Sequence, residues 1–314
     1  MQKTKKVGLG QNNPKSKLFY ALMALIPSLQ FLIFYVVVNI NSFSLAFKEF
    51  LFDSEGAVTG YKLGLINFEE WFTNQKLNTE LVSAIQISLK SYGISLCTGL
   101  PLGLFFSYYM FKKMPGAKMF RVLLFMPSIL SAAVLGVIFK NVTALVIDGS
   151  DGILLNWLKL EEDIGFWSKD NRYGTMMFFC IFISFGSSVL MYTNKMDAIA
   201  PELIESANLD GASGIKEFWY IVLPHTFSIV QVFLMTGFAG LFTNQYNYMI
   251  LFNYKQHKDA KPLGYVLWRG VYNAGVQHTA LVKFAALGLM ITVVVVPLTL
   301  FLRWAINKIG WKEE

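Results

Sequence analysis

The strongest constraint on this sequence is a set of six long, mostly apolar runs. A helix of about 20 apolar residues crosses a ~30 Å hydrocarbon core, and each run is close to that length. Because a segment inside a membrane must satisfy its own backbone polar groups, such runs fold as helices. The runs are 18–38, 82–109, 122–139, 175–194, 221–242 and 281–302. The sequence therefore predicts an all-α membrane protein with six transmembrane helices.

The composition agrees with this class of protein. Hydrophobic residues make up 54% of the 314 residues, and the mean hydropathy is +0.47. Both values exceed those of a typical soluble domain. The net charge of +7 could indicate a nucleic-acid partner, but the basic residues lie beside the apolar runs. They are typical of topology determinants in membrane proteins, so no nucleic-acid partner is expected.

The distribution of basic residues predicts how the chain crosses the cell membrane. Clusters of Lys and Arg precede the first run and follow the second and the sixth, which places both termini in the cytoplasm. The predicted regions are a cytoplasmic tail (1–17), the first helix with an external loop (18–81), a five-helix core (82–304) and a second cytoplasmic tail (305–314). Two segments go against the charge rule. One is the acidic segment 196–224, and the other is a predicted external loop containing Lys255, Lys258, Lys261 and Arg269.

Segment 196–224, MDAIAPELIESANLDGASGIKEFWYIVLP, is a polar stretch between two apolar runs. Pro201 suits the first turn of a helix, because its missing N–H costs nothing there. Gly211 can adopt the left-handed conformation that ends a helix, and Ser213 can cap the next helix. A helix this short is unstable alone in water, so we expect it to dock on another surface.

This segment resembles the "EAA" cytoplasmic loop of permease subunits from ATP-binding-cassette (ABC) importers. The matching residues are Glu205, Ser206, Ala207, Asp210, Gly211, Ala212, Ser213, Phe218, Ile221, Leu223 and Pro224. Ser206 stands where the motif has alanine, which exchanges one small residue for another. Two further stretches, LFMPSILSAAVLGVIF in the third run and DGILLNWL after it, resemble the carbohydrate-type (maltose-like) branch of the family.

The resemblance implies a type I ABC importer permease (MetI-like) core with a cytoplasmic coupling helix. In that family the loop lies in a cleft of the ATPase subunit. The residues implied to couple to the ATPase are Glu205, Ser206, Ala207, Asp210, Gly211, Ala212, Leu223 and Pro224.

The same resemblance implies the partners and the solute. The partners are a second, homologous permease subunit in a heterodimer, two copies of a cytoplasmic ABC ATPase, an extracytoplasmic solute-binding protein and the lipid bilayer. No cofactor is expected in this chain, because the ATPase would bind ATP and Mg²⁺. The implied solute is a sugar or oligosaccharide. The alternative is an ABC importer for another solute, such as an amino acid, glycerol phosphate or a polyamine.

Other kinds of chemistry find little support in the sequence. No G-x-x-x-x-G-K-[ST] motif occurs, so we expect no ATP hydrolysis through a P-loop. No Asp or Glu lies within the six runs, whereas proton-coupled carriers usually need such a group; a secondary carrier remains a less favoured alternative. The three His and two Cys residues share no metal-ligand spacing, and no nucleophile and base form a pair. We therefore expect no metal site and no enzyme activity.

Polar residues within the fourth and fifth runs are the candidates for the substrate path. Polar side chains inside a bilayer are costly unless they face protein or water, so these should point inward. Hydroxylated solutes need such hydrogen-bonding partners. The candidates are Ser184, Ser187, Gln231, Gly240, Asn244 and Asn247. The alternative for the small residues is that they only allow helices to pack closely.

Overall fold

The computed structural model describes residues 14–53, 58–143, 146–147, 150–151, 166–253, 255, 257–273 and 278–309. Most of the two predicted tails, 1–17 and 305–314, and most of the DGILLNWL stretch lie outside these residues. The charge clusters in the tails therefore stay predictions, as do the four predicted regions.

Long helices dominate the described residues. Helix α1 runs without a break through Pro14–Gln30, Phe31–Val37 and Val38–Ala46, and its middle part is π-helical. Helix α3 spans Gln75–Phe111, with a π-helical stretch at Ser95–Gly99. The remaining long helices are α6 (Arg172–Asp197), α8 (Ile215–Ala239) and α11 (His278–Ile309). Within the described residues these five helices are long and apolar enough to cross a membrane, and the number of spans rises to six if a bent pair of helices is counted as one span.

The bent pair corrects the prediction of one continuous helix over 122–139. The chain instead forms α4 (Ala117–Ile129) and α5 (Ala132–Thr143), which meet at an angle of 104°. Pro127 lies inside α4 and removes one backbone donor. Leu130 is extended, with φ −82° and ψ 149°. Ser131 then caps α5, because its Oγ accepts a hydrogen bond from the Ala133 N–H at 3.3 Å.

The predicted external segment between the first two long helices contains β-structure that the sequence analysis did not predict. Strands β1 (Lys48–Phe52) and β2 (Val58–Leu63) form an antiparallel hairpin, and α2 (Ile66–Thr73) follows. Two side chains of α2 hold this unit together and fix it to the bundle. Asn67 donates to the Lys48 carbonyl at 2.8 Å, and Trp71 Nε1 donates to the Lys283 carbonyl at 3.0 Å. A second short hairpin joins Val146–Ile147 (β3) to Ser150–Asp151 (β4).

Helix α6 lies at the centre of the bundle and packs against α3, α4 and α8. Helix α11 packs against α8 and against the last part of α1. Three shorter helices complete the described fold: α7 (Pro201–Leu209), α9 (Tyr248–Phe252) and α10 (Leu263–Asn273). Helix α7 belongs to segment 196–224 and joins α6 to α8. Helix α6 is the most buried of the five long helices, and α7 follows its C-terminal end at one end of the bundle.

Candidate functional site

Segment 196–224 forms a helix, a tight turn and the start of a second helix, as predicted. Pro201 occupies the first position of α7, after an extended Ala200 with ψ 128°. Ala207 is buried, and Ile204 packs against an apolar cluster that includes Met196 and Val222. The opposite face of α7, with Glu205, is exposed. The helix is thus fixed to the bundle by one face and leaves the other free to contact a partner.

A left-handed glycine ends α7, as the sequence indicated. The Asp210 N–H donates to the Ser206 carbonyl at 3.0 Å, and Gly211 has φ +78°. The Ala212 N–H donates to the Ala207 carbonyl at 2.9 Å. A methyl group added at Gly211 would meet open space, so only the backbone conformation favours glycine there.

The predicted role of Ser213 as a helix cap is wrong. The cap residue is Gly214, with φ +61° and ψ −118°, and it provides no side-chain hydrogen bond. A serine is strained at positive φ, whereas glycine is not. Leu223 and Pro224 follow five residues of π-helix at Phe218–Val222, and Pro224 lies in the first turn of the α-helical part of α8.

The exposed side of the segment is unusually apolar. Leu209 is 89% exposed, Ile215 73% and Tyr220 78%. Trp219 is also exposed. We call these four side chains the apolar end surface. Leu209 ends α7, and the other three lie in the first two turns of α8. Exposed apolar surface commonly marks an interaction site.

A buried ion pair lies where segment 196–224 meets α3, and the sequence analysis did not detect it. Glu217 is completely buried, and Lys112 Nζ donates to its two carboxylate oxygens at 3.1 and 3.0 Å. Tyr108 Oη donates to the Gly214 carbonyl at 2.8 Å and lies 3.4 Å from Glu217 Oε1. The partners of Glu217 are more than 100 residues away in the sequence, so no local pattern indicates them.

A cavity of about 670 Å³ lies between α3, α6 and α8 and the residues after α8. Five of the six predicted path residues line this cavity: Ser184, Ser187, Gly240, Asn244 and Asn247. The sixth, Gln231, is not among the lining residues. Its Nε2 instead donates to Asn307 Oδ1 of α11 at 2.5 Å.

The polar groups of the lining are oriented by the backbone. Ser184 Oγ donates to the Cys180 carbonyl at 2.8 Å, and Ser187 Oγ donates to the Ser184 carbonyl at 2.9 Å. Each hydroxyl oxygen keeps lone pairs that can accept a further hydrogen bond. Asn244 Oδ1 accepts from the Tyr246 N–H at 2.8 Å, which leaves its amide NH₂ group as a donor. The lining therefore offers both donors and acceptors.

Aromatic residues complete the lining and were missed by the sequence analysis. They are Tyr92, Phe185, Tyr192, Phe233 and Tyr246. Aromatic residues are frequent throughout an apolar chain, so their number alone gave no indication of a site. None of the described residues that line the cavity carries a charge.

Charged groups are instead paired at the end of the bundle opposite α7. Arg172 Nε donates to Asp259 Oδ2 at 2.5 Å and also contacts His257 Nδ1. Burial lowers the pKa of His257 below its ordinary value of 6.5, and the charge of Arg172 lowers it further. Lys261 pairs with Glu80 and is itself buried.

Three basic side chains that the sequence places inside apolar runs, Lys90, His225 and Lys283, have partners within the protein. Lys283 forms an ion pair with Glu70. The Nζ of Lys90 lies 4.4 Å from the ring centroid of Tyr173. His225 Nδ1 lies 2.8 Å from the carbonyl oxygen of Ile221, one turn earlier in α8.

A bundle of long apolar helices, with a central cavity lined by hydroxyl, amide and aromatic groups and a short helix docked at one end, is typical of a membrane permease. Residues 99–310 match the family described as "Binding-protein-dependent transport system inner membrane component", and the chain belongs to this family. The predicted family and fold class are thereby confirmed. The protein is a membrane-spanning component of an ABC-type transport system.

Individual relatives agree with this assignment. The chain is 27% identical over 227 residues to the probable ABC transporter permease protein YurN of Bacillus subtilis, covering 70% of this chain and 74% of the relative. It is 24% identical over 278 residues to the arabinooligosaccharides transport system permease protein AraP of the same organism, covering 87% and 83%.

A solved structure shares the fold. It is a bacterial ABC transporter involved in the import of the acidic polysaccharide alginate, with a TM-score of 0.76, 21% identity and coverage of 94% of this chain and 96% of the other. At this identity the similarity concerns the fold alone.

Proposed function

We propose that this protein is one of two permease subunits of an ATP-driven importer of a sugar or oligosaccharide. The observation that carries the proposal is the placement of α7. One face of α7 is packed on the bundle through Ala207 and Ile204, while Glu205 and the neighbouring apolar end surface are exposed. A short helix held in this way can receive force from a partner and pass it to the helices around the cavity.

The partner at α7 is a cytoplasmic ABC ATPase. In this proposal Glu205 anchors α7 to the ATPase, and Gly211 shapes the turn that follows. Closure of two ATPase subunits around ATP would bring the α7 helices of both permeases together. The cavity would then open to the opposite side of the membrane, where a solute-binding protein delivers the solute, and hydrolysis would reset the cycle. ATP and Mg²⁺ belong to the ATPase.

The solute is a neutral, hydroxylated molecule of the saccharide class. The uncharged lining combines hydroxyl and amide groups with aromatic faces, which suits hydroxyl groups and the apolar faces of sugar rings. Relatives with saccharide names include the arabinooligosaccharide permease AraP and the multiple sugar-binding transport system permease protein MsmF of Streptococcus mutans. The sn-glycerol-3-phosphate permease UgpA of Yersinia pestis represents the alternative of a charged solute.

The end of the bundle that carries α7 faces the cytoplasm, and both termini lie on that side. The basic loop 112–121 is at this end, because Lys112 contacts Glu217 and Arg121 lies 3.8 Å from Asp197. The contact between Gln231 and Asn307 brings the C-terminal part of α11 beside the middle of α8. Basic residues are enriched in cytoplasmic loops, which supports this orientation.

Purification of the tagged protein from its native membrane tests the proposal. We expect a P-loop ATPase, a second six-span permease and a solute-binding protein to co-purify. Glu205→Arg should release the ATPase without loss of the second permease. The matched control is Glu69→Arg, which changes an exposed carboxylate at the opposite end of the bundle. This variant should retain both the ATPase and the second permease. Recovery of the chain alone, in a state that still transports, would refute the importer and favour a secondary carrier.

Transport measurements test the same proposal through the turn after α7. Gly211→Asp should abolish ATP-coupled uptake while the protein still inserts into the membrane, because the new side chain is unfavourable at φ +78°. Uptake that survives ATP depletion but collapses with the ion gradient would contradict the proposal.

A further inference from the structure

Glu217, Lys112 and Tyr108 form a compact polar cluster at the junction of segment 196–224 and α3. The carboxylate of Glu217 has no exposed surface, and its partner Lys112 is only partly exposed, at 31% of its side chain. Removing a carboxylate from water is unfavourable unless it is paired and hydrogen-bonded. Here Lys112 contacts both carboxylate oxygens, so the charge is compensated by one defined geometry.

The cluster contacts the backbone of segment 196–224 as well as the side chain of Glu217. Tyr108 Oη donates to the carbonyl of Gly214, the residue with φ +61° at the start of α8. Tyr108 also packs edge-on against Phe218, with ring centroids 5.2 Å apart. The end of the turn after α7 is therefore attached to α3 through a backbone carbonyl, a carboxylate and an aromatic ring.

The other end of this connection reaches the cavity. Helix α3 carries Tyr108 near its end and lines the cavity two to four turns earlier, through Tyr92, Ser95 and Leu100. Gly103 lies between the two regions and packs against Tyr192, which also lines the cavity. The Ser95–Gly99 stretch, which contributes to the cavity wall, is π-helical. Such stretches are frequent at functional sites.

We propose that Glu217, Lys112 and Tyr108 form a coupling joint that transmits displacement of α7 to α3 and so to the wall of the cavity. These are positioning residues, and the inference rests on the function proposed above. Without the joint, α7 remains docked through Ala207 and can still bind the ATPase. Movement of α7 is then no longer passed on to α3. Loss of the joint therefore uncouples the cavity from the nucleotide and leaves the assembly of the complex unchanged.

The experiment uses the complete importer with its native partners, reconstituted in lipid vesicles. Cys97 and Cys180 are replaced by Ser and Ala, and Ser184→Cys places a reporter thiol in the cavity wall. The rate of its modification by N-ethylmaleimide is measured with and without a non-hydrolysable ATP analogue, as the mass shift of this chain. Coupling between two sites typically changes such an equilibrium by about 5–150-fold, and we expect a response in this range for the reference protein.

Glu217→Gln and Lys112→Met should each reduce this response to less than about twofold, well below the usual range of coupling. Tyr108→Phe, which removes only one hydroxyl group, should give an intermediate response. The ATPase should co-purify with every variant and still hydrolyse ATP. Because the groups act as one unit, the double variant of Glu217 and Lys112 should lose no more than either single variant. The exposed neighbour Lys113, as Lys113→Met, is the matched control and should respond like the reference protein.

A normal response in Glu217→Gln or Lys112→Met would overturn the coupling joint while leaving the importer intact. Equal losses in Lys113→Met would also overturn it, because the effect would then follow from any lost charge in this loop. If Glu217→Gln fails to assemble, Tyr108→Phe decides, and a full response in that variant refutes the joint. If no ATPase co-purifies with the reference protein itself, the proposed function is refuted.

Discussion

Substitution of Gly186 by alanine should separate α4 from α6. A methyl group added at Gly186 would lie 1.7 Å from the Leu124 carbonyl oxygen and 2.6 Å from its carbon. Ordinary contact begins near 3.4 Å, so the two helices must move apart by about 1.7 Å. Both clashing atoms belong to the backbone of α4, so no side-chain rotation can relieve the contact. Small residues at such interfaces allow close helix packing in membranes.

The stability change follows from this geometry. Overpacking typically costs about 1–3 kcal/mol, and a clash with backbone places Gly186→Ala at the upper end. At about 2–4 °C per kcal/mol, the melting temperature should fall by roughly 5–10 °C. The matched control is Gly288→Ala in α11, where the added methyl group meets no atom within 4 Å. This control should be neutral or slightly stabilising, since alanine favours a helix over glycine by roughly 0.5–1 kcal/mol.

The assay is thermal unfolding of the purified protein in one detergent, read as the loss of the monodisperse peak in size-exclusion chromatography. If Gly186→Ala and Gly288→Ala melt within about 1 °C of each other, a difference of under 0.5 kcal/mol, the close approach of α4 and α6 is refuted.

Four other substitutions test separate parts of the site and its supports. Ser184→Ala should weaken uptake of the transported saccharide, because it removes a hydroxyl group from the cavity wall. Gln231→Leu should leave uptake unchanged but lower the free energy of unfolding by about 1 kcal/mol, because it removes the hydrogen bond to Asn307. The pKa of His257 is lower in the folded protein than in the unfolded chain, so the unfolded chain binds the proton first as the pH falls. Stability should therefore decrease below about pH 6.5. His257→Gln should flatten this part of a profile of melting temperature against pH. Trp71→Phe removes a buried hydrogen bond at 3.0 Å to the last long helix and should lower stability by about 1–3 kcal/mol in the same unfolding assay.

Features that depend on neighbouring residues could be predicted from the sequence. The start of α7 at Pro201 and its end at Gly211 follow from local backbone preferences, and both are confirmed. The helical spans follow from hydrophobicity over about 20 residues. The break between α4 and α5 was missed because it lies within an apolar stretch and needs only Pro127, an extended Leu130 and the cap at Ser131. Apolar composition indicates that a segment enters the membrane, but it does not indicate that the segment is straight.

Features that depend on distant residues could be predicted only in part. The hydroxyl and amide groups of the cavity were identified because polar groups in a membrane must face inward. The same rule also selected Gln231, since a partner such as Asn307, 76 residues later, satisfies a polar side chain as well as a cavity does. Glu217 and Lys112 are 105 residues apart, and each alone looks like an ordinary charge at the end of a span. Only the folded arrangement makes them a pair.

One of the four basic residues that go against the charge rule is neutralised within the fold. Lys261 is counted as a positive charge in the loop predicted to be external, yet it is buried and paired with Glu80. Arg172 is paired with Asp259 in the same way. A basic residue already neutralised by a carboxylate on the same side adds little to the net charge of that side. The same holds in the loop 112–121, where Lys112 contacts Glu217 and Arg121 lies 3.8 Å from Asp197, so the net charge of either side depends on these pairs and not on the number of basic residues alone.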